Sequence, residues 1–176
     1  MIRHNPHNGG FSLIETLVYL GLYALIMSGA IISVYTIFES AGRNQTKAMV
    51  QEEGTFLAGK IDWVLSGVAT TTVPNLGATS SALSVVKFDG TVVTLTLTDL
   101  GVLQLKDGAN PLLPLNNSNT HVSTSTESSG LVFANTGSST DPTIPVGVTA
   151  TFRVSSRTPS GALFMQDFST TKYLRR

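Results

Sequence analysis

The stretch Asn8 to Ser40, NGGFSLIETLVYLGLYALIMSGAIISVYTIFES, decides how the rest of the chain is read. Thr16 to Phe38 holds no charged residue, a run of 23. As a helix it spans about 34 Å, enough for a hydrocarbon core about 30 Å thick. A soluble core helix rarely stays uncharged on every face for that length, so the run is expected to insert in a membrane. One alternative is a secretory signal cut after Ser28-Gly29-Ala30. Against it, Ile31, Ile32, Val34, Ile37 and Phe38 continue the apolar run past that point. A second is a plain signal anchor, which explains the run but not Glu15 or the pair Gly9-Gly10. Arg3 lies before the run and Arg43 and Lys47 after it, so the flanking charges set no orientation.

Glu15 is the informative residue. A carboxylate at mid-bilayer costs about 2.5–3.5 kcal/mol by insertion scales, and less near the interface. If the chain keeps its first residues, Glu15 simply sits among the headgroups. If the chain is cut after Gly10, Phe11 gains a new α-amine. Glu15 then stands one helical turn away on the same face, near the positive end of the helix dipole. The amine and carboxylate can meet within one subunit or between neighbours. The second arrangement supplies a reason to assemble, since an unpaired charge in a low-dielectric setting is costly.

GGFSLIETLVYL, Gly9 to Leu20, resembles the N-terminal signal of type IV prepilins and type II secretion pseudopilins. That signal is a short leader ending in Gly, then Phe, then an apolar run with Glu as the fifth residue after the cut. The resemblance implies cleavage after Gly10 by a membrane prepilin peptidase that also N-methylates Phe11. It implies extraction from the inner membrane by an assembly platform into a helical fibre of pilin or pseudopilin subunits. Glu15 would neutralise a neighbour's N-terminus. GVLQLKDGANPLLPLNNSNTHV, then LVFAN, VGVTATFRV and FSTTKYLRR, are similar to the heads of minor pilins and minor pseudopilins. The leader's one firm positive charge is Arg3, Ile32 stands where major pilins tend to carry proline, and no cysteine can close a C-terminal loop. These departures point to a minor subunit. The implied localisation is a single-pass inner-membrane protein with an extracytoplasmic head, later part of a filament.

Beyond the run, Met49, Val50, Phe56, Leu57, Ile61, Val64, Leu65 and Val68 recur mostly at helical spacing. Gln51, Glu52, Glu53, Lys60 and Asp62 take the other side. Gly42, Gly54 and Gly59 allow a bend, and Val73-Pro74-Asn75 is expected to end the helix. A meander follows. Leu83–Phe88 and Thr91–Thr98 flank the hairpin turn Asp89-Gly90, and Asp99-Leu100-Gly101 leads to Val102–Lys106, closed by Asp107-Gly108. Asn110–Leu115 is a proline-bounded loop. His121–Ser125, Leu131–Asn135, Val146–Val154 and part of Phe164–Leu174 are expected strands, with Gly137–Pro145 a loop. The expected fold class is α+β: a long N-terminal helix on one antiparallel sheet with one wet face. The expected division is a leader over 1–10, a transmembrane half over 11–38, an amphipathic half over 39–69 and a β-rich head over 70–176.

The totals bound the function. Lys plus Arg and Asp plus Glu both count 11 in 176 residues, which argues against nucleic acid as a partner. The basic end Lys172, Arg175 and Arg176 is expected to be solvated rather than a DNA contact. His4 and His7 lie in the leader, leaving His121 as a lone imidazole with no cysteine beside it, so no transition-metal site is expected. Asp99, Asp107 and Asp141 lie in separate turns without calcium-ligand spacing. Trp63, among Ile61, Val64 and Leu65, is expected to be packed or helix-facing rather than a ligand platform. No phosphate loop or nucleophile elbow occurs, so the chain is expected to be structural, with no cofactor and no enzymatic activity.

Overall fold

The computed structural model describes residues 12–123, 131–137 and 146–174. The chain divides into two compact units, Met1–Ala41 and Gly42–Arg176. One helix, α1, runs from Leu13 to Leu65, 53 residues without a break. Gly42, Gly54 and Gly59 all lie within it.

In the first unit every described residue through Phe38 is exposed. The hydroxyls along the apolar run turn back onto the helix. Ser28 donates to the Leu25 carbonyl at 2.9 Å, Ser33 to Gly29 at 2.9 Å and Thr36 to Ser33 at 2.8 Å. Such back-bonding gives these three hydroxyls partners within the helix.

The second unit begins with the one-faced part of α1. Thr46, Val50, Gly54, Leu57, Ile61, Val64 and Leu65 are buried, a stripe set by steps of three and four. The helix stops at Leu65, before the expected end near residue 69. Gly67, at φ +68°, takes the left-handed position past a helix end, where a side chain is disfavoured. The β-branched run Val68–Val73 then forms strand β1 rather than a last helical turn. Val68 keeps the helical spacing, which hides this change of structure from a periodicity argument.

The remaining strands are β2 Thr79–Ser80, β3 Leu83–Lys87, β4 Val92–Leu97, β5 Leu103–Asp107, β6 Leu113–Pro114, β7 His121–Val122, β8 Val132–Asn135, β9 Gly147–Arg157 and β10 Leu163–Tyr173. They form two antiparallel sheets where one was expected. The first has the order β1-β3-β4-β5-β6, and the second β10-β9-β8-β2, with β7 also paired to β9. The architecture is α+β. The expected hairpin at Asp89-Gly90 joins β3 to β4, and Asp99-Leu100-Gly101 joins β4 to β5. β6 lies inside the expected Asn110–Leu115 loop, and β7 is shorter than the expected strand.

A single apolar core joins the helix to both sheets. Val50, Leu57, Ile61 and Val64 come from α1; Leu83, Val85, Val93, Leu95 and Leu103 from the first sheet; Phe133, Val148, Ala150, Phe152 and Val154 from the second. Asn116 is the main buried polar link. Its side chain donates to the carbonyls of Gly101 and Thr120 and accepts from the Leu103 amide. Its hydrogen-bonding needs are met, so its burial carries little penalty.

Helix and β10 approach closely at Gly54. A Cβ built there would lie 2.0 Å from Cζ of Phe168, so only glycine lets that ring rest on the helix backbone. The ring also stacks on Phe152, with centroids 5.5 Å apart. Gly54→Ala is expected to destabilise the head by about 1–3 kcal/mol through overpacking. Chemical denaturation of Gly54→Ala, Phe168→Ala and the double variant measures this. The double variant should cost less than the sum of the singles, because Phe168→Ala removes the obstruction.

Candidate functional site

The described part of the candidate site is the first turn of α1. Gly10 and Phe11, the expected processing residues, lie outside the described residues. Ser12 immediately precedes the helix. Its carbonyl accepts from the Glu15 amide at 3.0 Å and from the Thr16 amide at 3.2 Å, and its hydroxyl accepts from the Glu15 amide at 3.3 Å. Ser12 is thus an N-cap, and Ser12-Leu13-Ile14-Glu15 has the spacing of a capping box. The Tyr19 hydroxyl, one turn on, donates to Glu15 Oε1 at 3.4 Å.

Glu15 therefore has a local environment of its own. Its carboxylate sits in the first helical turn, where the dipole favours negative charge. It is exposed, as are Leu13, Ile14, Leu17 and Val18 around it, with Leu13 at 81%. The arrangement is an acid on an apolar cylinder, open to a cationic group from outside. The cap was legible in the order Ser12…Glu15, but attention to the cleavage pattern passes over it.

The other expected residues scatter. His121 is exposed in β7, and its Nδ1 lies 3.2 Å from the Leu100 carbonyl. It lines a groove of about 710 Å³ with Gln45, Met49, Ser155 and Arg157. Asp99 stands in the turn between β4 and β5 and Asp107 at the end of β5, and Asp141 lies outside the described residues. Among the described residues no three His, Cys, Asp or Glu side chains gather in a way that would hold a metal. Lys172 is not a solvated tail charge: its ammonium donates to both carboxylate oxygens of Asp62, at 2.9 and 3.0 Å. Arg175 and Arg176 lie outside the described residues.

Trp63 is not packed away; it remains 49% exposed. Lys60 and Lys87 hold their ammonium groups 5.9 and 5.2 Å from its ring centroid. It borders a depression of about 660 Å³ with Lys87, Phe88, Asp89 and Asp107. Lys87 is a contact that sequence reasoning missed. Its ammonium donates to the carbonyls of Trp63 at 3.0 Å, Val64 at 2.6 Å and Ser66, closing the C-terminus of α1. Burial pushes its pKa down, while Asp107 and Asp89 pull it back up. No sequence signal placed a strand lysine over a helix end.

No protein-family profile, no curated protein and no solved structure matches this chain.

Lys87→Met keeps the aliphatic stem and removes the cap. It is expected to lower head stability by about 1.5–3 kcal/mol, as for loss of hydrogen bonds to a charged group. Urea unfolding checks this, and Lys87→Arg should lose less.

Proposed function

We propose that the chain is a structural subunit, of the minor class, of a type IV pilus-like or pseudopilus filament. The observation that carries this reading is Gly10-Phe11-Ser12-Leu13-Ile14-Glu15 standing directly before 23 uncharged residues. The exposed apolar run of α1 supports it, being long and apolar enough to cross a membrane. So does a β-rich head joined to the same helix.

In this reading prepilin peptidase cuts after Gly10 and methylates Phe11, and α1 anchors the subunit until assembly. The apolar run then exchanges lipid for the helices of other subunits, with Glu15 receiving the α-amine of a neighbour. Ion pairing matters most there because the surroundings are apolar: either charge alone would be stranded. The assembly platform and companion subunits are the partners. The reading assigns no catalytic residue and no cofactor.

A second reading is favoured by the Ser12–Glu15 cap and the Tyr19 contact: an anchored extracytoplasmic binding domain in which Glu15 only finishes the helix. Mass spectrometry of the native N-terminus separates the two. N-methyl-Phe11 is expected for the filament subunit and an intact leader for the anchor. Gly10→Val is expected to leave the chain unprocessed.

Glu15→Ala is expected to spare membrane insertion yet lower filament incorporation about tenfold or more, because a neighbour's amine loses its partner. Ser12→Ala removes the cap alone and should lower incorporation far less. Equal effects of the two variants, measured in sheared filament fractions, would mean that Glu15 acts as a cap.

A further inference from the structure

Two arginines stand on the same face of β9 and meet different surroundings. The strand alternates: Phe152, Val154 and Ser156 are buried, and Arg153, Ser155 and Arg157 face outward. Across β10, Asp167 stands opposite Arg153 and accepts from its guanidinium at 2.7 and 3.0 Å. Opposite Arg157 the register places Leu163 instead. Among the described residues no carboxylate pairs with Arg157. Its hydrogen bond there runs from Nη1 to the Gly161 carbonyl at 3.2 Å, within the turn between β9 and β10. That bond orients the guanidinium and leaves the rest of its planar fork to donate elsewhere.

Arg157 borders the groove of about 710 Å³ that also holds His121 and Gln45, and no Asp or Glu lines it. His121 pairs with Ser155 from the other side of β9, so Arg157 is its diagonal neighbour on that face. Such positions lie about 7–8 Å apart, a span that one small molecule bridges. The Leu100 carbonyl can only accept, so the His121 Nδ1 at 3.2 Å from it carries a proton. In the neutral ring Nε2 is then an acceptor. A guanidinium without a carboxylate, beside an acceptor nitrogen, suits a ligand carrying both a carboxylate and a hydroxyl. Half-buried Met49 and exposed Pro159 and Leu163 offer apolar surface to its carbon skeleton. The volume falls in the usual range for small-ligand sites, about 300–1,000 Å³.

We propose that this groove binds an acidic sugar of the hexuronate type. Its carboxylate lies on the Arg157 fork and a ring hydroxyl donates to His121 Nε2. A neutral sugar would leave the guanidinium unanswered. A phosphate dianion would bring more charge than one guanidinium meets. The site lies wholly within the second unit, so it holds whether α1 is built into a filament or only anchors the chain.

The test uses the full chain in nonionic detergent, followed by NMR during titration with sodium glucuronate, glucose, acetate or phosphate. Glucuronate is expected to saturate the site about tenfold more tightly than the other three, as for hydrogen bonds to a charged group. The Arg157 Nε–H and His121 ring signals should shift, and the Arg153 Nε–H signal should stay. Arg157→Gln should weaken glucuronate binding about tenfold or more, and Arg157→Lys should lose less because it keeps the charge. Arg153→Gln, on the same face but paired with Asp167, should leave binding unchanged. His121→Phe should bring glucuronate down toward acetate and leave acetate as it was. Should Arg157→Gln fail to fold, the four ligands on the unaltered chain still decide. The proposal is overturned if glucuronate does not saturate, or if glucose, acetate or phosphate binds as tightly. It is equally overturned if Arg153→Gln weakens binding as much as Arg157→Gln.

Discussion

A helix that crosses hydrocarbon must satisfy every backbone amide and carbonyl from within itself, because lipid offers no partner. α1 is long and apolar enough to be such a helix. Its apolar run holds no proline, and the hydroxyls of Ser28, Ser33 and Thr36 turn inward, as that constraint would require. As in any α-helix, the unmet backbone groups lie at the two ends. At one end Ser12 meets them, and at the other the ammonium of Lys87 does. An uncapped first turn would leave exposed donors beside an apolar surface, where water is scarce.

The same helix changes character after Gly42. From Thr16 to Phe38 it carries no charge and is exposed on all sides; later a stripe is buried. The stripe faces two sheets rather than one, so it carries residues of different sizes. Gly54 is the smallest of them and admits the largest neighbour, the Phe168 ring. Leu57, Ile61 and Val64 fill the remaining space in the shared core. Close packing of this kind is sensitive to single methyl groups.

Much of the architecture was legible in residue order. The 23-residue uncharged run gave the long helix, and the Asp-Gly and Asp-Leu-Gly turns gave the meander from β3 to β5. What stayed hidden has physical reasons. Val68 continues a spacing of three and four although Gly67 has already ended the helix. Periodicity reports a strand's faces but not its neighbours, so the split into two sheets and the pairing of β2 with β8 were beyond reach. Lys172 looked like part of a basic tail because its partner, Asp62, lies 110 positions away. At the candidate site, Ser12 and Glu15 were visible as letters, and their cap was overlooked in favour of a cleavage pattern. Gly10 and Phe11 fall outside the described residues.

The contact between Asp62 and Lys172 also has a temporal side. The helical stripe from Thr46 to Leu65 is made early, yet its cover over Gly54 and Asp62 comes from β10, roughly a hundred residues later. During synthesis the first sheet can cover part of that stripe, but the cover over Gly54 waits for β10. Topologies dominated by such distant pairings close slowly, since a long loop must be ordered before any contact rewards it. The head is therefore most vulnerable to sticking and to proteolysis in the interval before β10 emerges, when a sheltering chaperone would have the most to offer.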